Sequence, residues 1–182
     1  MYHIKADKRS ERSAALIYRG LLECLKSKPF DLISISDLQR ASSVARTTFY
    51  RCFDNISDVL MWKCDMCFFE VLGAYNPQRF PNEIELARHY FSYWITHSDI
   101  LELLIRINRQ DIIYACHMKN AKILQKRFGN APKHGNYFIA IRTGFTISVL
   151  TTWLSSGRKE NADELVDIIQ EQLVGLVVAL EK

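Results

Sequence analysis

Proline and glycine are scarce in this chain, at four and seven residues out of 182. Segments that alternate apolar and polar side chains are equally hard to find. A fold of hairpins needs turn residues in quantity, so these two shortages argue against sheets and leave an all-helical protein. Neither sign of charge dominates. The net charge is +4, which permits an anionic partner without demanding one. Its placement says more: residues 1–60 hold ten basic side chains against seven acidic, and residues 61–182 hold fourteen against thirteen. The excess sits in the first third.

Signatures of catalysis are missing as well. The chain has no glycine-rich phosphate loop, no G-x-S-x-G and no H-E-x-x-H, and its carboxylates are scattered over polar helical faces. An enzyme is the class least supported, and no cofactor is implied. The start, MYHIKADKRSERS, is polar and charged, unlike a secretory signal. The most apolar long run, Tyr137–Leu154, is interrupted by Arg142 and several Thr and Ser, so it reads as a buried helix and not a membrane span. The expectation is a cytoplasmic protein with no membrane partner. The cysteine number is odd, five in all, which fits free thiols in a reducing compartment. Cys64 and Cys67 form a C-x-x-C pair, but no His or second pair lies nearby. A structural zinc site needs four ligands, so buried thiols are favoured over metal or redox sensing and no metal is expected.

What the sequence does hold is helical periodicity. Residues 8–27 place Leu16, Leu21, Leu22 and Leu25 at helical spacing. Ser34–Asp37, SISD, has the form of a capping box that opens a short helix to about Ala41. A third short helix spans about Ala45 to Phe53, and Asn55 with Asp58 caps a long fourth to about Leu72. GAYNPQRFPN (73–82) is the clearest loop, followed by helices near 82–97, 99–106, 109–128, 136–156 and 161–181.

Two short helices joined by a tight turn and preceded by a longer one suggest a helix-turn-helix, whose second short helix enters the DNA major groove. Its surface must then divide in two. In SVARTTFYRCF (43–53), Ala45, Phe49, Cys52 and Phe53 fall on one side. Arg46, Thr47, Tyr50 and Arg51 fall on the other, with Thr48 at the border. Arginine pairs with phosphate or guanine, threonine with phosphate or a thymine methyl, and a tyrosine hydroxyl with phosphate. Ser34, at the head of the preceding helix, can add a phosphate contact.

At this point the stretch Phe30–Leu60, FDLISISDLQRASSVARTTFYRCFDNISDVL, resembles the DNA-binding domain of TetR/AcrR-type transcriptional regulators. The resemblance rests on the T-F-Y-x-x-F core (Thr48, Phe49, Tyr50, Phe53), the acidic close at Asp58 before Leu60, and the KPF that ends the first helix. It implies an all-α homodimer of about nine helices, in which residues 1–55 bind a palindromic double-stranded operator and residues 56–182 dimerise and bind a small-molecule effector. DNA contact carries over onto Ser34, Arg46, Thr47, Thr48 and Tyr50. The function implied is transcriptional repression relieved by the effector. Three positions depart from the family pattern: Ser43 replaces a turn glycine, Ala45 a capping residue and Ile56 a phosphate-contacting lysine. They keep an alternative open, a TetR-like protein-interaction module or co-activator with weakened or lost DNA binding.

Two expectations concern the remainder. The last helix carries Leu165, Ile169, Leu173, Leu176 and Leu180 on one stripe, widened by Val166 and Ile168. That is more than one core face needs, so the stripe is read as a dimer interface, against a central helix of a monomer. Aromatic residues gather between the loops with a few polar groups among them. Tyr90, Trp94, His97, Arg106, Tyr137 and Phe145 are the candidate effector pocket, against an aromatic core without a cavity.

Overall fold

A computed structural model describes residues 1–73, 82–128 and 134–180. The described residues form nine α-helices and no strand. They are α1 (Lys8–Leu25), α2 (Ile35–Ser42), α3 (Arg46–Cys52), α4 (Ile56–Gly73), α5 (Glu83–Thr96), α6 (Asp99–Arg106), α7 (Gln110–Phe128), α8 (Gly135–Ser155) and α9 (Ala162–Leu180). The expected all-α fold with about nine helices is what forms. Most of the expected loop at 73–82, and 129–133 before α8, lie outside the described residues.

Side-chain caps start α1, α2 and α4, the last two where the sequence placed them. Asp7 accepts from the Arg9 and Ser10 amides at 3.0 and 2.8 Å and opens α1. Ser34 accepts from Asp37 N at 3.2 Å while the Asp37 carboxylate takes Ser34 N at 2.9 Å, closing a reciprocal box at the head of α2. Asn55 and Asp58 repeat the device at α4, at 3.1 and 3.2 Å.

The face that α1 buries holds the expected Leu21, with Leu22 and Leu25 packed against the core, and departs from the sequence reading at Leu16. Leu16 is exposed, and Ala14, Ile17 and Leu21 point inward beside Gly20. Small residues sit there because α2 crosses close by. A Cβ added to Gly20 would lie 2.7 Å from Ser42 Cβ and 2.9 Å from Ser42 N. Between α2 and α3 the chain reverses at Ser43, which adopts a left-handed conformation with φ 57°.

Helix α4 is apolar almost all round and occupies the centre. It packs on α1 on one side and on α7 on another. Val59, Leu60, Cys64, Cys67, Phe68 and Val71 are all buried along it. Around it, α7 lies on α8 and α5 on α9. The α8–α9 turn is fixed by a bond from Trp153 Nε1 to Glu160 O at 2.9 Å and an ion pair between Arg158 and Glu102 at 2.6 Å. Helix α8 is long and apolar enough to cross a bilayer by length and composition. Within this fold its Ile139, Thr143, Thr146, Leu150 and Trp153 are buried against the other helices.

The polar leader read at the N-terminus hides a structural strap. Tyr2 pairs with Phe53 as an isolated antiparallel bridge, and His3 N donates to Cys52 O at 2.8 Å. The Tyr2 hydroxyl reaches the fully buried Asp65 carboxylate at 2.7 Å. Asp65 also takes Lys119 Nζ and, at 2.9 Å, Asn120 Nδ2. A buried carboxylate is tolerable when its lone pairs are all engaged. This node ties the end of α3, the middle of α4 and α7 together.

Candidate nucleic-acid interface

Helix α3 is short, and its packing decides which way its polar side faces. Phe49 and Cys52 are buried, and Phe53 just beyond it is fully buried. The Phe49 and Phe53 rings lie 5.8 Å apart, and Phe53 meets Trp62 of α4 at 6.2 Å. With these anchors fixed, Arg46, Thr47, Tyr50 and Arg51 are exposed, and Thr48 is half-buried at the edge. Arg46 Nη2 donates to the Tyr50 hydroxyl at 3.4 Å, and its guanidinium lies 5.7 Å from the Tyr50 ring centre. The two side chains form one polar unit a helical turn apart.

One neighbouring position differs from expectation, and another forms the expected cap. Ala45 is exposed and not on the buried side, because it is the extended residue that precedes the helix, and it offers no capping side chain. Ser34 is exposed, but its hydroxyl both accepts the Asp37 amide and donates to the Asp37 carboxylate at 2.7 Å. Lys28 Nζ lies 2.7 Å from the same carboxylate. That ammonium, with Ser34, holds Asp37 well below the usual carboxylate range. Ser34 is thus the cap of α2, beside a carboxylate that is paired with the Lys28 ammonium.

A cavity of about 510 Å³ opens between α4, α5, α7, α8 and α9. Of the six expected residues, Tyr90 and Phe145 line it. Trp94 is buried behind the wall, 6.2 Å from the Tyr90 ring and 5.1 Å from Phe68. Like Trp94, the other three are absent from the wall, which corrects the expectation for four of the six. His97 ends α5, stacks on Tyr93 at 4.3 Å and is exposed, because the helix that would have carried it inward stops at Thr96. Arg106 is exposed in the last turn of α6. Tyr137, in the first turn of α8, is 72% exposed.

The cavity wall holds residues that helical spacing could not assemble. Phe68, His117, Asn120 and Arg142 come from three helices. Arg142 stood out in the sequence only as a charge within the apolar run Tyr137–Leu154, and only the α7–α8 packing brings it to the wall that His117 lines. His117 Nδ1 lies 2.9 Å from Thr143 Oγ1. Burial first, and the charge of Arg142 second, push the His117 pKa down to about 4. Asn120 Nδ2 is engaged by Asp65 and by Cys116 O at 2.8 Å, which leaves its oxygen buried without a partner.

The proposed interface residues of α9 divide. Leu165 is only 5% exposed and belongs to the protomer's own core, a correction that follows from α9 lying against α5. Ile169 is half-buried beside the cavity, and Leu173 is exposed at its rim. The side chains of Leu176 and Leu180 lie outside the described residues. Exposed apolar side chains that the stripe omitted are Val174, at 64%, and Ile141 of α8, at 72%.

Cys64 and Cys67 are both buried. A hydrogen bond with Cys116, and then burial, push the Cys64 thiol well up, and burial raises Cys67. Both therefore disfavour the thiolate that binds metal or reacts. Among the described residues no group of three or more His, Cys, Asp and Glu side chains is placed to hold a metal ion.

No protein-family model and no curated protein matches the chain. Among solved structures it is similar to the crystal structure of Lin0861 from Listeria innocua, with a TM-score of 0.83 over 96% of each chain at 18% identity. That likeness is one of fold.

Proposed function

We propose that the protein is a sequence-specific DNA-binding regulator of the TetR type, a homodimeric repressor whose operator affinity is set by a small molecule in the five-helix cavity. The carrying observation is the division of α3: Phe49 and Cys52 are locked in the core, with Phe53 just beyond the helix, and Arg46, Thr47, Tyr50 and Arg51 stand together in solvent. Base-reading helices require that division. The strap from Met1 to Ile4 and the packing of Phe53 on Trp62 then set the orientation of the reader. Repression follows because occupancy of an operator is enough to block polymerase. An effector that prefers the arrangement with low operator affinity would draw the dimer off DNA.

The test is selection of duplexes from a random pool by purified full-length protein at moderate salt. A palindrome with half-sites about one helical turn apart, or a multiple of it, is the expected product. Arg46→Ala should then weaken operator binding by about 1–3 kcal/mol, and Tyr50→Phe by about 1 kcal/mol through a lost phosphate bond. Unchanged affinity in both variants would remove α3 as the reader.

A second reading has its own support. Ser43 holds the turn where the resembled family has glycine, Ala45 offers no capping side chain to α3, and Ile56 stands where that family has a phosphate-contacting lysine. These three departures favour a protein-interaction module or co-activator. Weak, salt-abolished and sequence-independent duplex binding would select it.

A further inference from the structure

The five-helix cavity has an apolar wall, and most of the polar side chains on it are already engaged. His89 meets Val71 O at 3.3 Å, and Thr146 donates to Arg142 O at 2.7 Å. Asn120 gives its amide N–H groups to Asp65 and Cys116 O. Arg142 lies over the Phe138 ring, 6.0 Å from its centre, and has a further partner. His117 is different. Its Nδ1 lies 2.9 Å from Thr143 Oγ1, with both residues buried. Thr143 makes no other hydrogen bond among the described residues, so its hydroxyl is satisfied by donating to His117 Nδ1. A neutral imidazole that accepts at Nδ1 carries its proton on Nε2. Nε2 has no protein partner among the described residues and is not sealed in the core, so its N–H opens onto the cavity that His117 lines.

The wall is ill suited to a charged ligand. No acidic side chain lines it among the described residues, so a cation finds no counter-ion. An anion would have to draw Arg142 from the interactions that hold it. His117 stays uncharged down to about pH 4, chiefly through burial. Burial likewise keeps the proton on the Tyr90 hydroxyl, whose ring lies 5.7 Å from the His117 ring. A charge taken from water into such an enclosure without a partner is strongly disfavoured. An uncharged carbonyl oxygen asks only for a donor, and His117 has one.

We propose that the cavity binds an uncharged apolar molecule, aromatic in its body, whose single carbonyl oxygen accepts from His117 Nε2–H. This deepens the effector reading and depends on it only for its regulatory meaning. The aromatic wall of Phe68, Tyr90 and Phe145 supplies the affinity, and His117 fixes the orientation. The volume of about 510 Å³ has room for a two-ring ligand.

The test is calorimetric titration of the full-length protein with four matched probes: 4-acetylbiphenyl, its isostere 4-isopropenylbiphenyl, biphenyl-4-carboxylate and biphenyl-4-ylmethylammonium. The ketone should bind at least about tenfold tighter than either ion in the unmodified protein, a ranking that needs no variant. The shape-preserving pair His117→Phe with Thr143→Val should weaken the ketone by about tenfold, because its oxygen is then buried without a donor. The isopropenyl isostere has no acceptor and should keep its affinity in that variant. Either ion binding as tightly as the ketone would overturn the proposal. So would a ketone-to-isostere ratio that the variant leaves unchanged, or failure of all four probes to bind. Duplex selection is read separately. Ketone binding without operator binding would retire the regulator and leave the site, and operator binding without ketone binding would do the reverse.

Discussion

Single side chains decide the sign of two measurable effects. Ser43 holds φ 57° at the turn between α2 and α3, where a Cβ is unfavourable and glycine is not. It is exposed, so the substitution Ser43→Gly removes strain without removing packing. The gain, less the extra freedom of an unfolded glycine, is about 0.5–1 kcal/mol, read as a higher urea midpoint at unchanged slope. A lower midpoint would mean that the hydroxyl contributes something its surroundings do not display. His117 supplies the second case. Its pKa falls from 6.5 to about 4 on folding, chiefly through burial. Between those values the unfolded chain binds the proton and the folded chain does not, so acid favours unfolding. Stability is therefore lost as pH drops through this window, by as much as about 3 kcal/mol, and is unaffected above it. In the His117→Phe with Thr143→Val protein that contribution should vanish, leaving a shallower loss between pH 6.5 and 4. Parallel pH profiles for the two proteins would show that His117 is not held neutral.

Helices were legible where their signals are local. The boxes at Ser34–Asp37 and Asn55–Asp58 announce α2 and α4 within four residues, and both form as read. What spacing could not show is which side of a helix a distant element approaches. In α1 the heavy apolar residue Leu16 is exposed, and the close approach of α2 falls instead on Gly20. The strap was illegible for the same reason, since Tyr2 finds Asp65 across 63 residues of chain. The cavity was half-legible: Tyr90 and Phe145 line it, but His117 joins Arg142 there only through the meeting of α7 and α8. The α1–α2 contact makes a prediction in which two effects compete. Gly20→Ala improves helix propensity by about 1 kcal/mol. The new Cβ, however, meets Ser42 Cβ at 2.7 Å and Ser42 N at 2.9 Å, and backbone cannot swing aside. Overpacking of this kind costs about 1–3 kcal/mol, so a net loss of about 1 kcal/mol is expected in urea unfolding. A net gain would show that α2 moves away freely and that the helix-turn-helix is held by other contacts.

At the scale of the whole molecule, the pieces that join its two ends are polar and the faces left uncovered are apolar. Asp65 binds Tyr2, Lys119 and Asn120 in one buried node. Arg109 reaches Ser57 at 2.8 Å from the start of α7 while pairing with Asp111. These links make α3 and the cavity parts of one packed body. The uncovered faces lie on α8 and α9, where Tyr137 and Val174 are 72% and 64% exposed beside Ile141, Ile168 and Leu173. Patches of this kind on a lone protomer mark interaction surfaces. A two-fold pairing of α8 and α9 would cover them with their own copies and set two α3 helices at a fixed separation. The protein should therefore sediment as a dimer at micromolar concentration. Tyr137→Glu and Val174→Glu place charges on exposed positions outside the cavity wall, so each protomer should keep its helical circular dichroism. Both variants should sediment as monomers, because burying an unpaired carboxylate in the pairing face costs several kcal/mol. Operator affinity should fall with them, since one half-site alone forfeits the second set of contacts. Sedimentation of the unmodified protein as a monomer would dismiss the palindromic operator together with the dimer, leaving α3 to read a single site or a protein surface.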